Sequence, residues 1–94
     1  MDENERAEKL SAMKRLVEMA EKAYDDMYEA HEQREIDRCY RDAKENYYDA
    51  MRVARELDMN EEADKFQQRL SHIKEVFFHQ FAGQGISSRP PGSS

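Results

Sequence analysis

The chain lacks almost everything that breaks a helix. It is 94 residues long, with three glycines and two prolines, and every one of these lies past Ala82. Before that point no residue type forces a kink or a positive-φ turn. Cysteine is nearly absent as well. Cys39 stands alone, so no internal disulfide can form, which fits a reducing compartment such as the cytoplasm. No apolar run approaches the roughly 20 residues needed to cross a bilayer. No charged start leads into an apolar segment, so no secretory signal is expected. Positive charge is in deficit: 15 Lys and Arg against 21 Asp and Glu leave a net charge of −6. Nucleic acid, which needs a basic footprint, is therefore not expected as a partner.

Catalytic signatures are missing too. There is no glycine-rich phosphate loop, no G-x-S-x-G and no H-E-x-x-H. Cys39 has no obvious histidine partner, and the many carboxylates fall on polar faces where nothing would raise a pKa for acid–base work. The expectation is a non-enzyme with no cofactor and no small-molecule substrate.

What the chain has in abundance is helical periodicity. Leu10, Met13, Val17, Ala20, Tyr24, Met27 and His31 follow at steps of three and four. Ile36, Tyr40, Ala43, Tyr47, Ala50, Ala54 and Leu57 do the same, and Phe66, Leu70, Ile73 and Phe77 repeat the pattern over a shorter run. Such steps place side chains on one face of an α-helix. The spacing predicts helices over about 7–32, 36–58 and 61–81, with 1–6 frayed and 83–94 disordered. The break between the first two helices rests on phase, because continuing the first stripe would turn Arg34 and Arg38 inward. One long bent helix is the alternative. Asn60 is the expected N-cap of the third helix, with Glu61 and Glu62 in its first turn. Gly83 and Gly85 would close it. Short links favour antiparallel neighbours. The fold class is therefore all-α, an antiparallel up-down-up three-helix bundle.

Tyr40, Ala43, Tyr47 and Ala50 repeat aromatic and alanine at steps of three, four and three. In this the second helix resembles the second helix of a tetratricopeptide (TPR) repeat, and Asn60 to Ala63 resembles the start of a following repeat. His31 and Arg34 stand where the repeat's first helix usually has a small residue and an aromatic. No Gly precedes Tyr40 and no Pro follows the second helix. The three-helix pattern is equally similar to microtubule-interacting-and-trafficking (MIT) domains. Both resemblances imply a non-catalytic protein-binding module, and no ligand-binding residue is carried over from either.

The first helix is apolar over about half its circumference, with Ala12, Leu16, Met19, Ala23 and Ala30 flanking the main stripe. That is more than one neighbour covers. The excess points to binding of a partner helix or peptide, by an adaptor or small chaperone, or to self-association as a homo-oligomer. The expected apolar anchors are Leu16, Met19, Met51 and Phe78, with Arg52, Arg55 and Glu29 setting orientation. An acidic stripe (Glu18, Glu21, Asp25, Glu29, Glu32) and a basic one (Arg41, Lys44, Tyr48, Arg52, Arg55) would fall on the same side of the hairpin. They would either pair within the chain or steer a charged partner. A remote alternative is a metal site from His72, Glu75 and His79, with His31 and Glu35 as the only rough companions. Arg89-Pro90-Pro91 in the tail could form a short polyproline segment, although an inert tail is the simpler reading.

Overall fold

A computed structural model describes residues 2–81, all of them in helices and the turns between them. Helix α1 spans Glu3–Glu29, α2 spans Gln33–Glu56 and α3 spans Asn60–Val76, followed by a π-helical turn, Phe77–Phe81. The expected tail, 83–94, lies outside the described residues. No helix among the described residues is long and apolar enough to cross a membrane.

The helix ends differ from expectation in instructive ways. The helix begins early: Asp2 caps α1 by accepting a hydrogen bond from the Glu5 amide at 2.7 Å, so α1 starts at Glu3, within the stretch expected to fray. The two long helices are separate. Ala30 and Glu32 adopt extended backbone angles, and the chain leaves α1 before His31, which is therefore exposed rather than on the buried stripe. Ile36 then re-enters the core. At the other end of α2, Asp58 has φ of 60°, with the Met59 amide bonded to the Ala54 carbonyl and the Asp58 amide to that of Arg55. This is a Schellman closure, completed by Met59 packing in the same apolar cluster as Ala54. Asn60 is the first residue of α3 and Met59 stands at its N-cap, without a side-chain bond.

Contacts fix how the helices lie. Lys9 reaches Glu56, Glu21 reaches Tyr47, and Arg6 donates to the Leu57 carbonyl at 3.3 Å, so the start of α1 meets the end of α2. Tyr47 meets Phe66, and Tyr40 stacks on Phe77 with ring centroids 3.9 Å apart. Alanines make the close approach: Ala20, Ala43, Ala50 and Ala54 are fully buried. The larger apolar cluster gathers Tyr24, Met27, Tyr40, Tyr47, Leu70 and Ile73. A smaller one joins Met13, Leu57 and Ala63 at the far end. The slower rotation of the π-turn leaves Phe77 in the core and carries Phe81 round to Tyr28 of α1, 5.1 Å between centroids.

One polar knot lies against this core. The Arg69 guanidinium of α3 donates twice to the Glu21 carboxylate of α1, both bonds at 2.8 Å, and the Tyr47 hydroxyl of α2 donates to the same carboxylate. Arg69 also lies over the Tyr24 ring, 5.0 Å from its centroid. The Arg69 hydrogen bonds hold the Glu21 carboxyl below its ordinary 4.5, overriding the opposing effect of partial burial. Burial, then the bond to Tyr28, pushes the Tyr24 hydroxyl up to about 12.

A depressed carboxyl pKa contributes stability above the unfolded value and loses it as pH falls through the folded value. Glu21→Gln should therefore cost about 1–2 kcal/mol near neutral pH, the range for a charge-assisted bond at a half-buried site. Urea unfolding of wild type and variant across pH should show this difference steady down to about pH 5 and shrinking below about 4.5 as Glu21 takes its proton. A difference unchanged at pH 2 would assign it to shape rather than charge.

Candidate functional site

Exposed apolar side chains that a small fold could have buried mark the surfaces of interest. Among the described residues these are Phe78 at 63% exposed, Tyr28 at 49%, Met19 at 47% and Tyr48 at 44%. They fall into separate neighbourhoods.

The α2–α3 rim carries two of them. Along α2 run Lys44, Tyr48, Arg52 and Arg55, one helical turn apart. Along α3 and its π-turn run Gln67, Lys74 and Phe78. Lys74 Nζ donates to the Tyr48 hydroxyl at 2.8 Å and sits 5.3 Å from the centre of its ring, which raises the lysine's pKa, chiefly through that hydrogen bond. Lys44 lies over the Tyr40 ring, also at 5.3 Å, and Phe78 packs edge-on against Phe77 and Tyr40. Below this row, Tyr48, Met51, Arg52, Arg55, Glu56 and Gln67 enclose an open groove of about 430 Å³. Its one carboxylate, Glu56, is bonded to Lys9 at 2.9 Å, and that bond lowers its pKa. Arg55 has no ion pair among the described residues. The rim is thus cationic and aromatic in a chain whose net charge is negative.

The opposite flank of α2 faces α1 and is acidic. Asp42, Glu45, Asn46 and Asp49 of α2 oppose Met19, Lys22, Ala23 and Asp26 of α1 across a shallow groove of about 550 Å³. Lys22 pairs with Asp26 at 3.2 Å and Arg52 with Asp49 at 3.3 Å. Asp42 and Glu45 have no such partner among the described residues.

The expected site residues are therefore divided. Phe78, Arg52 and Arg55 share the α2–α3 rim. Met19 stands across the molecule on the acidic flank, with Leu16 half-buried nearby on α1 and packed on the smaller core cluster. Glu29 stands at the exposed end of α1, roughly 25 Å along α2 from Arg52. Met51 is a correction: at 2% exposed it belongs to the core with Leu70 and Ile73, because its side of α2 is the side α3 covers. It can floor the rim groove but cannot project from it. From the acidic and basic stripes, Glu21 and Tyr48 both meet α3, bonded to Arg69 and Lys74, whereas Glu32 lies beyond α1 at the N-cap of α2. His72, Glu75 and His79 are exposed, and no three His, Cys, Asp or Glu side chains converge to hold an ion among the described residues. Neither Lys74 nor the acidic row Asp42, Glu45, Asp49 was expected to matter, although the row has helical steps of three and four.

No family model, curated protein or solved structure matches the chain.

Neighbouring aromatics in the π-turn separate surface from core. Phe78→Ser should leave the urea midpoint nearly unchanged, whereas Phe77→Ala should cost about 3–5 kcal/mol, as for other buried aromatics. Equal losses from both would mean that Phe78 is covered in solution.

Proposed function

We propose that the protein is a non-enzymatic helical interaction module, an adaptor or small chaperone, that binds an acidic amphipathic helix or peptide of another protein along the α2–α3 rim. In this reading the chain is an up-down-up three-helix bundle of TPR-like or MIT-like kind, with α1 and α2 as the hairpin and α3 as the added helix. One observation carries the proposal: along one rim lie exposed Phe78, against Tyr40 and near Lys74, and then a groove lined by exposed Tyr48 with Arg52 and Arg55, in a chain of net charge −6. An aromatic anchor ringed by cations suits a partner that presents leucine-type side chains on one helical face and carboxylates beside them. The cations steer the encounter and set orientation, and the aromatic supplies buried area. Cys39 is buried and, as a lone thiol, fits a reducing compartment such as the cytoplasm.

Fluorescence anisotropy with two labelled model helices tests this, one built of leucine and glutamate and the other of leucine and lysine. The acidic helix should bind at least about tenfold more tightly, a difference of about 1.4 kcal/mol. Arg52→Glu with Arg55→Glu, and separately Phe78→Ser, should each weaken it about tenfold or more while thermal melts by circular dichroism stay unchanged. Preference for the basic helix, or undiminished binding by these variants, would sink the proposal.

A further inference from the structure

Helix α1 keeps a second apolar row on the side away from α3. Ala12, Leu16, Met19 and Ala23 follow at steps of four, three and four, so they share one face of the helix. At about 100° per residue, Glu21 and Tyr28, which meet α3 and its π-turn, stand on roughly the opposite side of α1 from Met19 and Ala23. Leu16 and Ala23 are half-buried against the core clusters, whereas Met19 between them is 47% exposed. Across the groove of about 550 Å³, α2 lines this row with carboxylates rather than with apolar side chains. Asp42, Glu45 and Asp49 follow at steps of three and four, over about 10 Å of helix. Local cations compensate only part of that charge. Lys22 is paired with Asp26 and Arg52 with Asp49, and Asp42 and Glu45 have no ion pair among the described residues.

We propose that this groove is a second binding face, and that its occupant is a basic amphipathic helix of another protein. Its apolar side chains lie on Met19 and Ala23, and its lysines or arginines, at steps of three and four, face Asp42, Glu45 and Asp49. Charge selects the occupant. An acidic helix would be repelled along the whole edge, and an apolar one would cover Asp42 and Glu45 without compensating them. A second copy meeting groove to groove would set the same carboxylates against each other. Ala23 lets a helix backbone come close, and the flexible Met19 side chain adapts to what lies over it. The face is small and shallow, so binding is weak and salt-dependent. The two flanks of α2 would then hold helices of opposite charge, and the chain would bridge two partners. The groove rests on its own residues and not on the acidic-helix reading of the rim.

Fluorescence anisotropy of the full chain with the labelled leucine–lysine model helix tests this, at about 50 mM salt. Binding should saturate below about 1 mM protein, about tenfold or more weaker than the acidic helix on the rim, and should weaken about tenfold at about 500 mM salt, where screening is under 5 Å. Asp42→Lys with Glu45→Lys should weaken it at least about tenfold, the milder Asp42→Asn with Glu45→Gln about threefold, and Met19→Ser about threefold, with thermal melts unchanged. A matched reversal on the exposed face of α3, Asp64→Lys with Glu75→Lys, alters net charge equally and should change affinity less than about twofold. Arg52→Glu with Arg55→Glu should leave the basic helix bound, and the groove variants should leave binding of the acidic helix as in wild type, so the two faces succeed or fail separately. Absence of saturable binding, equal losses from the groove and α3 reversals, or indifference to Asp42 and Glu45 would each overturn the proposal. So would a weight-average mass in sedimentation that rises with concentration and falls back in the Asp42→Lys, Glu45→Lys variant, which would give the groove to a second copy.

Discussion

The Glu21–Arg69–Tyr47 knot is the interaction on which the arrangement of the three helices turns. It takes one side chain from each helix, and the bidentate geometry of a guanidinium on a carboxylate tolerates little rotation or sliding. Apolar stripes hold helices together but are permissive about how they slide and turn. A three-way polar contact at the edge of the core is not. With Glu21 placed, α3 lies over the side of the hairpin that carries Tyr47 and Tyr24, which buries Met51 and leaves Met19 on the uncovered flank. The division of the surface follows from that choice.

Alanine makes the choice workable. Ala20, Ala43, Ala50 and Ala54 have no exposed surface, so the backbones of α1 and α2 approach closely over most of their length. The aromatic side chains fill the wider space on the α3 side, where Tyr40, Tyr47, Phe66 and Phe77 pack in stacked and tilted pairs. A hairpin that is tight within itself and wide toward α3 has a thick side and a thin back. The thin back is the shallow acidic groove.

The three stripes of apolar residues were enough to read an all-α chain, and the interruption near His31 was visible as a slip in phase. Details governed by single polar groups were not. The early start of α1 depends on one Asp2 carboxylate, and the exit from α2 on a left-handed Asp58, a residue more common than most at positive φ but far less diagnostic than glycine. The π-turn has no sequence signature, because Phe77 to Phe81 would serve an α-helix as well. Met51 was misplaced because a stripe margin is exposed or buried according to which side the third helix takes. Glu21 alone could not reveal that side, since its partner lies 48 residues away.

Periodicity therefore reports where a core lies, whereas binding depends on what remains when the last helix has docked. Helix α1 has more apolar surface than α2 alone covers. The structure divides that surface: Tyr28 goes toward the π-turn, Val17 packs on the core, and Met19 and Ala23 are left on the back. Helix α2 divides its charges in the same way, with Lys44, Arg52 and Arg55 on one flank and Asp42, Glu45 and Asp49 on the other. An isolated helix with both rows would carry little net charge. Docked between two neighbours, it becomes the boundary between a cationic face and an anionic one. The bundle, not any one helix, creates the opposed surfaces, so whatever shifts α3 must change both together.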